Sequence, residues 1–367
     1  MAVTKVARDG INSPALIGSN LIINGAMKVA QRGASFAAPA DGAYLLDRFS
    51  WKNYVTTPVV TITQDKTSDI FTAHGFDTCM KIDVTTADGT VDSANMTGLM
   101  YTMEGQDLQH WKHGSANSES LTLSFWFRSP KAGTHCVALH DLDHNLANIM
   151  EFEVAVADTA EFISVIFAPK TSGTVIPNDT THGASIVWPM IAGASYLHDD
   201  NVGGWAGDAG EKYISSNGQN LLDNTANNIY ITGVQLEVGS IATDFAHEDY
   251  GTTLARCQRY AYVVDGDPAN GTYLARGHAL SATVTLGETN FPVTMRATPT
   301  LTASATEWEV ADAVNSASAV TVIGLGSGTS IYSAVVSGTV GSGLTQYRPY
   351  GIRAETTGSK AIFSAEL

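Results

Sequence analysis

Between Leu121 and Arg128 the chain alternates without a break. Leu121, Leu123, Phe125 and Phe127 fall on one side, and Thr122, Ser124, Trp126 and Arg128 fall on the other. A period of two is what a strand with one buried face requires, because successive side chains of an extended chain point to opposite sides. Residues 59–63, 80–84, 137–139, 162–167, 185–188 and 229–232 read the same way. Turn-forming clusters such as Ala87-Asp88-Gly89 and Ser172-Gly173 separate them. Short strands with this punctuation, and no long stretch of helical period, predict an all-β chain built as a sandwich or jelly roll.

Two apolar segments bracket this region, Leu21-Ile22-Ile23 near its start and Ile229-Tyr230-Ile231 near its end. Read as strands, they predict a β-sandwich whose first and last strands meet. Residues 254–262 then predict one short helix with Leu254, Cys257 and Ala261 on one side. After it β character returns at residues 282–286, 300–302, 320–322 and 333–336, with Pro292 and Pro299 marking strand edges or strand starts. The predicted organisation is an attachment arm over residues 1–19, a jelly-roll domain over 20–249, and a short helix plus a smaller C-terminal β-domain over 250–367.

Composition narrows the function. A chain of 367 residues with 44% hydrophobic and 15% charged residues is a folded protein large enough for two cores. The net charge of −16 opposes binding to nucleic acid or to anionic lipid. Cys79, Cys136 and Cys257 are too few and too scattered for a disulfide framework or a structural zinc site, and read as small buried apolar residues. No run of about eighteen apolar residues is present, so no membrane insertion is expected. Lys5 and Arg8 precede no apolar core segment, so no secretory signal is expected; if the protein acts outside cells, assembly into a virion in the host cytoplasm is one route outward.

Enzyme motifs are sparse. No Gly-x-Ser-x-Gly turn joins a strand to a helix. The 36 acidic residues offer too many pairs to choose two for glycoside hydrolysis. Gly324-Leu325-Gly326-Ser327-Gly328 lacks the Lys-Ser or Lys-Thr ending of a nucleotide loop and reads as turn chemistry.

The densest ligand cluster is His140-Asp141-Leu142-Asp143-His144. On a strand, Asp141 and Asp143 would share a face about 7 Å apart. They are the candidate ligands for a structural Ca²⁺, with further oxygens supplied from elsewhere. The competing reading is a solvated turn. No other cofactor is expected.

Sugar recognition calls for aromatic side chains held outward. The aromatics considered are Trp111, Trp188, Trp205 and Tyr213 in the first domain and Tyr332, Tyr347 and Tyr350 in the second. Trp205, Tyr213, Tyr332 and Tyr347 are taken as the ligand-binding candidates, Trp205 because a glycine-rich loop, Gly203-Gly204-Trp205-Ala206-Gly207, surrounds it.

Several segments resemble a known family. They are residues 21–27 with Gln31-Arg32-Gly33 and Leu46-Asp47-Arg48-Phe49, then residues 233–239, Ala242-Thr243-Asp244-Phe245 and Cys257-Gln258-Arg259-Tyr260. They look like the segments that bound a jelly-roll module in the tail fibre and receptor-binding appendage proteins of tailed bacteriophages, especially those of marine phages. That module is similar to carbohydrate-binding modules. The resemblance spans residues 20–262, strong at the ends and weak between, and residues 291–299 look like a further element of the family.

The matched residues read as structural. Asn24-Gly25 would supply a tight turn through glycine's tolerance of positive φ, and Asp47 and Arg48 would pair as ions. Gln235 and Glu237 would share one strand face, with Val234, Leu236 and Val238 on the other. No catalytic residue is carried onto this chain. The resemblance implies a homotrimer on a virion, attached to another virion protein through the N-terminal arm and binding a host-surface glycan without catalysis. Recognition would lie in the dissimilar stretch or in the C-terminal domain. A capsid decoration protein or head fibre is the alternative. A polysaccharide depolymerase is the second, although such enzymes on phage fibres commonly use long repetitive β-helices and no such repeat occurs here.

Overall fold

The alternation at residues 121–128 is realised as a strand whose inner residues, Leu121, Leu123, Phe125 and Phe127, are buried. The structure is a computed structural model and describes residues 20–54, 59–207, 212–312 and 317–367. The predicted attachment arm, 1–19, lies outside the described residues. The chain divides into two compact units, the first running to Tyr250 and the second covering Gly251–Glu366.

In chain order the first unit contains β1 (Ser35–Ala37), β2 (Ala43–Tyr44), β3 (Phe49–Asn53), β4 (Val59–Asp65), β5 (Cys79–Thr86), β6 (Met96–Glu104) and β7 (Leu121–Arg128). It continues with β8 (Gly133–Asp141), β9 (Leu146–Val154), β10 (Ala160–Phe167), β11 (His182–Ala192), β12 (Ala206–Gly207) and β13 (Asn228–Val238). They form a six-stranded sheet, β1-β4-β5-β13-β7-β10, and a seven-stranded sheet, β12-β9-β8-β11-β6-β3-β2. The strand pairs of both are antiparallel. The core lies between them: Ile82, Leu123, Phe125 and Ile231 from the first face Leu99, Leu139, Ile186 and Trp188 from the second. Phe125 meets Trp188 edge to face, with centroids 5.8 Å apart. This is a jelly-roll β-sandwich, as the period of two predicts.

The expected first strand is absent. Residues 21–27 are a run of turns, with Asn24 at φ 62° and Met27 at φ 57°. The segment nevertheless lies along β13: Leu21 N donates to Leu236 O at 2.9 Å, and Val234 N donates to Gly25 O at 2.9 Å. Gly25 therefore serves close approach rather than positive φ, since a Cβ there would sit 2.0 Å from Val234 O. Arg48, at φ 75°, donates to Thr102 O at 2.7 Å, while Asp47 accepts from Gln31 N at 2.7 Å.

The helix α1 (Tyr250–Gln258) begins earlier than predicted and stops sooner. Thr253 and Cys257, four residues apart, are its buried positions. Ala261 and Tyr262 belong instead to β14 (Ala261–Gly266). The second unit continues with β15 (Tyr273–Ala279), β16 (Val284–Asn290), β17 (Thr300–Ala303), β18 (Trp308–Ala311), β19 (Ala317–Ala319), β20 (Val322–Leu325), β21 (Ser333–Thr339), β22 (Pro349–Ala354) and β23 (Ser359–Ser364). A three-stranded sheet, β14-β23-β17, and a seven-stranded sheet, β19-β18-β22-β15-β16-β21-β20, enclose a core that includes Leu274, Trp308, Val336, Ile352 and Phe363. Among the described residues no helix is long and apolar enough to cross a membrane.

Candidate functional site

The outward residues of β7 meet those of the edge strand β10 in register, Trp126 opposite Phe162 and Ser124 opposite Ser164. Outside a sheet such a pair would normally be polar. Here the two rings lie 5.5 Å apart and Phe162 is 50% exposed. On the other side of β7, the pairing with β13 slips from Thr232–Trp126 to Gln235–Ser124. The slip is a bulge, and Gly233 at φ 61° occupies it. The ring of Phe76 rests on that glycine, where a Cβ would come within 2.6 Å of Phe76 Cζ.

Beyond β13 the chain folds back over the same face. Glu237 accepts from Thr243 N at 3.0 Å and from Thr243 Oγ1 at 2.6 Å. Gln235 donates to Glu237 at 2.9 Å and accepts from Ala246 N at 2.8 Å. Two buried polar residues on one strand face thus hold residues 243–247 in place, each satisfied by its neighbours. This segment presents Phe245 and His247, whose rings pack against Phe76 at 5.0 and 5.3 Å. Burial, with Lys28 adding to it, holds the His247 imidazole below its ordinary pKa.

The connection from β4 to β5 closes the third side. Its start is fixed by Asp65, which accepts from Thr67 N and Ser68 N at 2.8 and 3.1 Å. Phe71 and Phe76 are buried, and between them lies a single turn, Thr72–His74, with no buried residue. From that turn the His74 imidazole lies flat on Trp126, with centroids 3.6 Å apart and planes 20° apart.

Together these residues line a cleft of about 500 Å³ with Ser124, Thr243 and Asp244 as further polar groups. That volume is within the range of about 300–1,000 Å³ typical of small-ligand sites. The cleft is an aromatic floor with hydroxyls, imidazoles and one carboxylate around it. Such a set can stack on the apolar face of a ring while hydrogen-bonding its hydroxyls.

The predicted site residues lie elsewhere. Trp205 does not point outward: it packs on Trp111 and His113, and its indole N–H donates to Ala168 O at 2.7 Å. Tyr213 is buried and stacks on His140 at 4.7 Å. Trp111 and Trp188 are core residues, and Tyr350 is buried in the second unit. Tyr332 and Tyr347 are 65% and 72% exposed, but they lie beyond opposite ends of β21 and form no joint site.

Asp141 and Asp143 do not form the expected pair on a strand. Asp141 ends β8, and Asp143 lies in the exposed turn that follows. The Asp141 carboxylate is fully buried, accepting from His144 Nδ1 at 2.8 Å and facing His113 Nε2 at 3.1 Å. Both of these contacts are to Oδ2, while Oδ1 lies 3.0 Å from the same His144 Nδ1; a carboxylate enclosed by imidazoles does not fit a calcium ion needing about six to eight oxygens. Among the described residues no group of three or more His, Cys, Asp or Glu side chains is arranged to hold a metal ion.

Trp126 is absent from the residues that the sequence marks for sugar binding, although its place on the outer face of its strand is legible there. An outward tryptophan beside Arg128 was the available signal. The partners that turn it into a site come from β10, from residues 243–247 and from residues 71–76, distant in sequence.

No protein-family model matches the chain, and no curated relative matches it by sequence. Solved structures are similar to it at low identity. A tailspike protein 4 enzymatically active domain from bacteriophage CBA120 is 13% identical over 60% of this chain, with a TM-score of 0.30. This chain spans 21% of that structure's length. A family 61 carbohydrate-binding module in complex with β-1,4-galactotriose is 9% identical, covering 60% of this chain and 98% of the module, with a TM-score of 0.28. A family 11 carbohydrate-binding module from Clostridium thermocellum, in complex with a mixed-linked tetrasaccharide, is 11% identical, covering 57% and 97%, with a TM-score of 0.28.

Proposed function

We propose that this protein is a virion appendage that binds a host-surface glycan, without cleaving it, in the aromatic cleft outside the six-stranded sheet. The observation that carries the reading is the Trp126–Phe162 pair, two large rings set side by side on an outward sheet face beside Asp244, Thr243 and the two histidines. Sugar rings offer an apolar face and a rim of hydroxyls, and this cleft offers the complement of both. Glycoside hydrolysis commonly needs two carboxylates flanking the bond. Among the described residues the cleft lining contains one, Asp244, which favours binding alone.

The setting rests on the sequence resemblance at residues 21–27, 31–33 and 233–245. In that setting the protein is a homotrimeric tail fibre or receptor-binding protein, joined to another virion protein through residues 1–19. The same cleft would serve a head fibre, and antibody labelling of virions separates the two positions.

The test is affinity electrophoresis of the full chain in native gels cast with laminarin, hydroxyethylcellulose, xylan or galactan. Retardation in one or more of them, abolished in Trp126→Ala, is the expected result. Migration unchanged in every polysaccharide, or retardation that Trp126→Ala leaves intact, overturns the reading. Release of reducing ends from the retarding polysaccharide would make the protein an enzyme instead. A monomer by analytical ultracentrifugation at micromolar concentration would refute the trimer.

A further inference from the structure

We infer that His74 is a displaceable cap on the sugar platform: its imidazole occupies the face of Trp126 that a ligand ring would use, and ligand entry exchanges one ring for the other. The inference rests on the glycan reading of the cleft and adds the state of the platform before a ligand arrives.

Three observations carry it. First, the stack is close and nearly parallel, 3.6 Å between centroids at 20°, so the covered part of the indole cannot also receive a sugar. Second, His74 is exposed, as are Thr72, Ala73 and Gly75 on either side of it. The cap lies outside the platform and is not packed beneath anything that must move first. Third, the backbone of this turn is held by bonds within the same connection: Thr72 N to Asp69 O, His74 N to Phe71 O, Gly75 N to Thr72 O and Phe76 N to Phe71 O, at 2.9–3.3 Å.

Buried Phe71 and Phe76 anchor the turn on both flanks. Rotation of the His74 side chain about Cα–Cβ would therefore uncover Trp126 while every one of those bonds persists. Exposed side chains change rotamer in picoseconds to nanoseconds, so such a cap would weaken binding without slowing it.

The other ring contacts of the cleft are of a different kind. Phe162 is fixed opposite Trp126 by the strand register, and Phe76 is fixed over Gly233 by the bulge. Of the two described rings stacked or tilted against Trp126, Phe162 stands on the sheet and His74 on a connection.

A ligand must compete with the cap, so its apparent affinity is the intrinsic affinity reduced by the uncapped fraction. An aromatic stack of ordinary strength corresponds to a factor of about 2–10. His74→Ala is therefore expected to bind the retarding polysaccharide about 2–10 times more tightly. His74→Phe, which retains a ring over the indole, is expected to show no such gain. A histidine that instead touched the ligand would lose affinity on conversion to alanine.

The closing experiment measures the cap without a ligand as well. Acrylamide quenching of tryptophan fluorescence is compared between the full chain and Trp126→Phe, with and without His74→Ala, so that the difference isolates Trp126. The contribution of Trp126 should rise by about twofold or more when His74 is alanine. Unchanged quenching overturns the cap, and so does weaker polysaccharide binding by His74→Ala. Quenching that rises while neither protein binds any of the four polysaccharides supports the cap and counts against the glycan reading, so the two failures are distinct.

Discussion

The amide of Leu236 donates to Oδ1 of Asn20 at 3.0 Å, joining residues 216 positions apart. The same oxygen accepts from Ile22 N at 2.9 Å, and Nδ2 donates to Val234 O at 3.0 Å. One buried side chain thus completes the hydrogen bonding of β13 beside its bulge, where the regular ladder is interrupted. Asn20→Ala should lower stability by about 1–3 kcal/mol by leaving buried groups unpaired. Urea unfolding measures this, and Asn20→Asp, which keeps the accepting oxygens, should fall between alanine and the natural residue.

Gly233 is required both for its positive φ and for the space that Phe76 fills. Gly233→Ala should cost about 1–3 kcal/mol through the backbone alone. It should also displace Phe76 and so disturb the wall formed with Phe245 and His247. Chemical shifts of those rings should move in Gly233→Ala, while those of the second unit's core stay where they are.

Phe162 is half exposed on an edge strand, so it contributes to the cleft more than to the core. Phe162→Ser should change the melting temperature little, as surface substitutions generally do within about 0.5 kcal/mol. Polysaccharide retardation should nevertheless fall about tenfold, the equivalent of about 1.4 kcal/mol of lost ring contact. A large fall in stability with retained binding would show that the ring serves the fold alone.

Burial raises the carboxyl pKa of Asp141, and the His113 and His144 imidazoles beside it outweigh that effect, so the group sits below its ordinary value. A carboxylate depressed on folding stabilises the protein fully above its unfolded pKa of about 3.9 and ceases to do so as pH falls through the folded value. The melting temperature should therefore decline below about pH 4 more steeply in the natural chain than in Asp141→Asn. At neutral pH, Asp141→Asn should cost about 1.5–3 kcal/mol, the worth of hydrogen bonds to a charged group. Parallel pH profiles for the two proteins would exclude this role.

Cys79, Cys136 and Cys257 are all buried, as read from the sequence. Burial, with the Asp65 charge adding to it, pushes the Cys79 thiol up to about 12, and burial likewise raises Cys136. A thiol so far from its thiolate form is a poor nucleophile. Native protein at pH 8 should therefore react negligibly with a disulfide reagent at these positions, and unfolding in urea should release the full number of thiols.

The two ends of the first unit show how far a local pattern reaches. Residues 121–128 alternate so cleanly that both the strand and its inner face follow from the sequence, and Leu123 and Phe125 are in the core as expected. Residues 21–27 are equally apolar yet form turns, because Asn24 and Met27 take positive φ and the Asn20 side chain does the bonding a strand would have done. Apolar content signals burial and leaves the backbone path open. The cluster at 140–144 has the same limit: its acids read as a ligand pair, whereas the partner that completes Asp141, His113, comes from the connection between β6 and β7.

Period and punctuation were enough to specify an all-β chain with a sandwich followed by a short helix and further strands, because burial of one strand face is a property of neighbouring residues. The cleft is not such a property. It exists because β10 pairs with β7, because a bulge at Gly233 admits Phe76, and because Gln235 and Glu237 draw residues 243–247 over the sheet. Each of these relations joins segments far apart in the chain, so local sequence marked Trp126 as outward and left its partners undetermined. Folding brought Phe162 beside it and laid His74 across it.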